Sequence, residues 1–246
     1  MEPSSEQLRR RRRQGRYVDY LAGLYHLWRR RLNGYAAYRR QYFAVAPPAH
    51  ASQPQPIRHR VTSINAPETA HVLQTVQPDA VVVISTSIIA PRILALSNGP
   101  VLNIHGGCLP YYKGNHCYFF ALYHGAFDRI GSTIHFVSQG VDTGDIVEVI
   151  RPELREDDTP ETLYCRGQML AIHRLAEWLD HFARGGCIPR TPQEPVGRAY
   201  RTRSRSPIDD LWFTLRRKTG RLKIPNRPAA PLLPLPSRAG AECPGP

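Results

Sequence analysis

The chain has 246 residues, 41% of them hydrophobic, with a formal net charge of +13 and a pI near 10.0. That length admits one α/β domain with appendages or two small domains, and it excludes neither a real core nor a cleft. The charge demands a strongly basic surface, suited to nucleic acid, anionic lipid headgroups or phosphorylated substrates, and does not choose among them.

Cys108, Cys117, Cys165, Cys187 and Cys243 are odd in number and scattered, with no C-x-x-C spacing. This argues against a disulfide framework or a structural zinc site and fits a reducing cytosol. No apolar run approaches the roughly 20 residues of a membrane span. No apolar stretch with a small-residue cleavage site follows the basic start, so a signal peptide is not expected and the location is read as cytoplasmic.

Arg9 to Arg13 is an unbroken basic run. Tyr17, Leu21, Leu24, Leu27 and Trp28 then recur at helical spacing, and Leu32, Tyr35 and Tyr38 extend the pattern. Arg29, Arg30, Arg31, Arg39 and Arg40 alternate with it. The pattern predicts a helix packed on the core by its apolar stripe, with a solvated basic face. The alternative is a helix in peripheral contact with an anionic membrane. Nucleic acid is not an expected partner, because no RNA- or DNA-binding module is recognisable.

Ala46 to Pro56 reads as a linker and Arg60 to Ile64 as a short strand. Pro67 to Val76 reads as a helix with Pro at its start. Ala80 to Ser85 is β-branched without polar alternation, as in a strand buried on both faces of a parallel sheet. Pro91 begins a short helix, Gly99-Pro100 breaks it, and Val101 to His105 is the next strand, completing a βαβ unit. Asn115 to Tyr123 is an aromatic helix closed by Gly125, and Ser132 to Val137 and Ile146 to Ile150 are two further strands. Asp158, Thr159 and Pro160 open a long helix, with Glu161 placed to return a capping bond and Ile172, Leu175, Leu179 and Phe182 as its buried stripe. Ile208 to Lys218 is a short amphipathic piece. The last twenty or so residues, rich in Pro, Ala and Arg, read as disordered.

The chemistry concentrates between Val101 and Asp145. Asn103 and His105 are two apart on a strand, so both side chains point to one face. Asn donates to an oxygen gaining negative charge; His donates a proton or holds the same oxyanion. Asp142, brought alongside by its turn, would orient the imidazole or relay protons. Such a site lacks a side-chain nucleophile and suits direct acyl transfer to an amine. A metal site from His105, His116, His135 and Asp142 matches no ligand spacing, so no metal is expected. Cys108 reads as a loop residue, His135 as a strand or pocket-wall residue, and Tyr118, Phe119 and Phe120 as core.

Asn103-Ile104-His105, Leu109-Pro110, Tyr112-Lys113-Gly114, Gly131 to His135 and Val141-Asp142-Thr143-Gly144-Asp145 occur in one order at compatible spacing. This compound motif, over roughly Val61 to Ile150, resembles the folate-dependent formyltransferase family. That family includes glycinamide ribonucleotide transformylase, methionyl-tRNA formyltransferase and the sugar N-formyltransferases. The resemblance implies an α/β fold, a Rossmann-like mostly parallel sheet flanked by helices. It implies formyl transfer from 10-formyltetrahydrofolate, as co-substrate, to a primary amine. By position, Asn103, His105 and Asp142 become the catalytic trio. Arg92, Ile93 and Leu94, with Val137, Gly140, Val141 and Asp142, become the pterin-binding residues.

The chain departs from the family pattern in three places. The family's opening strand and loop are missing or replaced by the Arg-rich helical sequence. Gly106-Gly107-Cys108 stands where the family often has Pro-Ser-Leu. The tail does not resemble the OB-fold of the tRNA-formylating enzymes. The expected organisation is a basic helical extension and linker over 1–56, a formyltransferase-like catalytic domain over 57–190 and an irregular Pro/Arg-rich extension over 191–246. The expected acceptor is a small or carrier-linked amine, amino sugar-like or glycinamide ribonucleotide-like and suited to be anionic. The rival reading is a non-catalytic folate-binding or interaction protein with an incomplete acceptor site.

Overall fold

A computed structural model of the chain describes residues 5–44 and 56–235. The chain opens with helices α1 (Ser5–Arg13), α2 (Tyr17–Leu32), α3 (Tyr35–Phe43) and α4 (Pro67–Val76). Among the described residues no strand precedes β1 (Val81–Val83). Arg60 to Ile64, expected as a strand, is irregular. The expected linker at Ala46 to Pro56 falls almost wholly outside the described residues.

From β1 the chain follows the expected βαβ path through α5 (Pro91–Leu94) to β2 (Val101–His105), and β1 and β2 pair in parallel. Strand β3 (Tyr112–Gly114), α6 (Cys117–His124), β4 (Ser132–Phe136) and β5 (Ile146–Ile150) follow. The main sheet has the order β1-β2-β4-β5, with antiparallel β2/β4 and β4/β5 pairs. Its parallel character among the described strands therefore lies in the β1/β2 pair. Helix α7 (Pro160–Ala183), β6 (Arg198–Tyr200) and α8 (Pro207–Lys218) complete the fold, and β6 pairs in parallel with β3.

Alternation along β2 and β4 explains which way each face looks. Leu102, Ile104, Ile134 and Phe136 pack with Ala171, Leu175 and Trp178 of α7. The intervening Asn103, His105 and His135 are left to the other side. A second cluster gathers α6 around Phe119 and Leu122, with Leu154, Leu163, Tyr200 and Ile224. Gly167 permits the close α6/α7 approach: a Cβ there would lie 1.8 Å from the Tyr118 hydroxyl. That hydroxyl shares a hydrogen bond with Ser132 Oγ at 2.8 Å, which also accepts from Gln168 Nε2 at 2.9 Å.

Several sequence expectations change face or partner. β1 lies at the sheet edge, so only Val83 is buried while Val82 is exposed. In α7, Thr159 caps by exchanging bonds with Thr162, not with Glu161. Glu161 is buried and pairs with Arg39. The buried stripe of α7 is Leu163, Ala171, Leu175 and Trp178, whereas Ile172 is exposed. On α8, Leu211, Trp212 and Leu215 face outward.

The largest reversal is in α2. Tyr17, Leu21, Trp28 and Leu32 are about three-fifths exposed, while His26 and Arg29 are buried. The core face that receives the helix offers acceptors, so the polar side docks. Tyr25 Oη donates to Asp210, His26 Nε2 lies 2.8 Å from the Thr202 carbonyl, and Arg29 Nε lies 3.7 Å from Asp210. The expected solvated basic face, and the membrane-binding surface with it, is thus partly turned inward, though Arg31 and Arg40 remain exposed. No helix among the described residues is long and apolar enough to cross a membrane. Cys108, Cys117 and Cys165 are free and buried, but Cys187 is disulfide-bonded, against the expectation from cysteine spacing.

The expected disorder of the tail does not extend to its first part. Arg227 exchanges backbone bonds with Leu154, and Leu233 meets Glu148 and Arg174. The expected disorder of residues 236–246 lies outside the described residues. Glu148 is 3% exposed and accepts from Arg174 Nε at 2.6 Å, Trp178 Nε1 at 2.8 Å and Leu233 N at 3.2 Å. Removing one partner of a buried ion pair strands the other charge, at about 3–5 kcal/mol. Arg174→Met is therefore expected to lower unfolding stability by about that much, measured by urea titration. Arg174→Met with Glu148→Leu is expected to recover only part of the loss: no buried charge is left unpaired, but Trp178 Nε1 and Leu233 N lose their acceptor.

Candidate active site

The motif residues meet on one wall of a cavity of about 860 Å³, lined among others by Asn103, His105, His135, Val137, Gly140 and Asp142. The β2/β4 register sets Asn103 opposite His135, and Asn103 Nδ2 lies 3.0 Å from His135 Nε2. A register shift between β4 and β5 falls at Ile134/His135, the kind of irregularity that re-aims a side chain. His105 lies one alternation further along β2 and is 6% exposed.

Asp142 comes from the turn after β4 and holds a left-handed backbone conformation, φ 53°. Two features fix it there. The Gly114 amide donates to Asp142 Oδ2 at 2.7 Å, and Gln193 Nε2 donates to the Asp142 carbonyl at 3.1 Å. The turn closes tightly on β4: a Cβ at Gly144 would lie 1.9 Å from the Phe136 carbonyl oxygen. Asp142 Oδ2 then reaches 3.3 Å from His105 Nδ1, and Oδ1 lies 3.7 Å from His135 Nε2.

The ring bonds assign protons. His105 Nε2 is 2.9 Å from the Tyr112 carbonyl, which only accepts, so that nitrogen carries a hydrogen. Its Nδ1 faces the Asp142 carboxylate at 3.3 Å. His135 Nδ1 lies 2.8 Å from the Phe136 carbonyl and donates to it. Burial, reinforced by the charge of His105, pushes the His135 pKa down to about 4. At neutral pH that ring is uncharged, so its approach to Asp142 is no ion pair. Its Nε2 lone pair accepts from the Asn103 amide and so fixes which way that amide points.

The sequence-based site residues divide. Asn103, His105 and Asp142 come together, and Val137, Gly140 and Val141 line the same cavity. Arg92, Ile93 and Leu94 do not line it. Ile93 is buried in the core, and an Arg92 guanidinium nitrogen donates to the Asn65 carbonyl. Ser85 to Ile89 line the cavity instead, in a loop that carries no signal in the sequence beyond following a strand. Sequence reasoning also missed Arg29, Arg39, His116 and Arg205 as lining residues. Among the described residues no group of three or more His, Cys, Asp and Glu side chains could hold a metal ion.

His135 links the site to pH. Between about pH 6.5 and pH 4 the unfolded chain binds a proton on His135 that the native state does not. More protons on the unfolded state means that stability rises with pH across this window. His116, whose pKa burial also lowers well below 6.5, acts with the same sign. The melting temperature is expected to fall as pH drops from about 6.5 to 4, and less steeply in His135→Gln. Equal slopes in differential scanning calorimetry would remove His135 as a source.

A family model described as formyl transferase matches residues 36–179, more than half of the chain. A methionyl-tRNA formyltransferase of Anaeromyxobacter dehalogenans is 37% identical over 128 residues, covering 52% of this chain and 40% of the relative. Another, of Citrifermentans bemidjiense, is 29% identical over 143 residues, covering 58% and 43%. The chain thus spans about two fifths of the length of these curated relatives. The structure of a 4-N formyltransferase from Francisella tularensis is similar in fold, with a TM-score of 0.50 at 16% identity over 61% of this chain and 64% of that one. The match over more than half its length makes this chain a member of the formyl transferase family.

Proposed function

We propose that the chain transfers a formyl group from 10-formyltetrahydrofolate to a primary amine of a small or carrier-linked molecule. The observation that carries this reading is the convergence of Asn103, His105 and Asp142 on one cavity wall in a chain of this family. The amine attacks the formyl carbon directly. A carbon–nitrogen bond forms to the acceptor, and the bond from that carbon to N10 of the folate breaks.

The carbonyl oxygen gains negative charge in the tetrahedral intermediate. Asn103 is the donor placed for it, because one amide hydrogen goes to His135 and the second remains available. His105, oriented by Asp142 at Nδ1 and by the Tyr112 carbonyl at Nε2, flanks Asn103 on the same cavity wall. Asp142 takes the proton released by the attacking amine and passes it, directly or through water, to N10 as the carbon–N10 bond breaks. Val137, Gly140 and Val141, with the apolar Val83, Ile88 and Ile89, would hold the flat pterin by its faces and the turn backbone by its edge. The curated relatives are named as acting on methionyl-tRNA. The arginines lining the cavity, Arg29 and Arg205 among them, favour a small anionic acceptor here.

The test is a screen of amines with 10-formyltetrahydrofolate, following release of tetrahydrofolate. His105→Ala and Asp142→Asn are each expected to lower turnover by about 10²–10⁴-fold. Tetrahydrofolate binding, measured by calorimetry, is expected to persist in both. Unchanged turnover in both variants overturns the assigned roles. Folate binding with no amine formylated would favour the non-catalytic reading, for which the direction of His105 Nε2 toward the Tyr112 carbonyl already gives one argument.

A further inference from the structure

The helical arm contributes a second set of polar groups to the cavity, apart from the Asn103, His105 and Asp142 wall. Arg29 of α2, Arg205 just before α8 and His116 at the start of α6 all line it. Arg29 and Arg205 are 9% and 5% exposed. They share one carboxylate, Asp210. Arg205 takes it through Nε at 2.9 Å and a terminal nitrogen, and Tyr25 Oη donates to it as well. Arg29 is left at 3.7 Å, beyond hydrogen-bond reach, and its Nε has no hydrogen-bond partner. His116 Nε2 is also buried without a partner, and its ring stacks 4.6 Å from His26.

Two guanidiniums against one carboxylate leave a positive charge in a place with little water. Buried charge is costly unless paired, and a buried donor left unmade costs free energy too. Both residues line the same cavity. Arg10 of α1 also lines it, as does Arg16, whose guanidinium is paired with Asp19. The donors arrive from separate elements, which suits a tetrahedral group with several oxygens better than a planar carboxylate.

We propose that Arg29, Arg205 and His116 form an anion subsite at the seam between α2 and the core, which takes the phosphate or diphosphate of a small, soluble amine acceptor. The word acceptor rests on the formyl-transfer reading; the subsite does not. With the anion held at the arm, the amine is presented toward Asn103 and His105 in the same cavity. Arg29 and His116 become specificity-determining residues for the acceptor alone.

Titration calorimetry with inorganic pyrophosphate tests this on the full chain, with tetrahydrofolate titrated in parallel. The wild type is expected to bind one pyrophosphate, more weakly at higher salt. Arg29→Gln is expected to weaken that binding at least tenfold. Arg221→Gln, which removes an exposed charge outside the cavity lining, is expected to change it less than twofold. Should Arg29→Gln not fold, His116→Phe keeps the ring on His26, removes the nitrogen, and is expected to weaken binding severalfold. Absence of saturable one-to-one binding, or equal losses in Arg29→Gln and Arg221→Gln, overturns the subsite. So does wild-type binding in His116→Phe when Arg29→Gln does not fold. If folate binds and pyrophosphate does not, the subsite falls and the formyl-transfer reading stands. If pyrophosphate binds and folate does not, the reverse holds. A short single-stranded RNA that displaces pyrophosphate through Arg29 with more than tenfold higher affinity would overturn the small-molecule acceptor.

Discussion

The carboxylate of Asp142 ties together parts of the chain that are far apart in sequence. It accepts the Gly114 amide at the end of β3, faces His105 at the end of β2 and approaches His135 on β4. Each contact depends on another layer of structure. The β2/β4 register must align Asn103 with His135. The turn must hold Asp142 at a positive φ, where a short polar side chain is tolerated. Gly144 must lie flat on the Phe136 carbonyl. A shift of one residue in the ladder would send Asn103 and His105 toward α7 and put Leu102 and Ile104 in the cavity.

Burial then divides the two histidines. His135 is kept neutral by burial and by its neighbour, so it serves as a fixed acceptor that aims the Asn103 amide. His105 faces the carboxylate through Nδ1 and the Tyr112 carbonyl through Nε2. Two imidazoles whose ring centroids are 6.3 Å apart would repel if both were charged, and the arrangement avoids this. The two rings thus have different partners, His135 aiming the Asn103 amide and His105 meeting Asp142.

The arm shows how tertiary partners override a helical pattern. Its apolar stripe reads as a buried face in sequence, yet the surface that receives α2 presents the Asp210 carboxylate and the Thr202 carbonyl. Polar side chains of α2 satisfy those groups, so His26 and Arg29 go inward and Trp28 stays out. In the same way Glu161, placed by sequence in a capping role, is drawn to Arg39. Periodicity predicted that these helices exist; it could not predict which side they would bury, because that depends on acids 120 to 190 residues away in the chain.

The sequence by itself determined most of the elements from Pro67 to Ala183, though not β3, whose partner β6 lies far along the chain, and it placed Asn103 and His105 on one strand face, because strand alternation and helix periodicity are local properties. The compound motif around them also made the family legible, since its spacing is read along the chain. Tertiary structure decided the rest. It placed β1 at an edge, aimed His105 at both Asp142 and the Tyr112 carbonyl, and took Arg92, Ile93 and Leu94 out of the cavity lining. It brought Arg29, His116 and Arg205 together from three separate segments. Those outcomes rest on long-range packing and on where a few buried charges find partners, and no window of sequence contains that information.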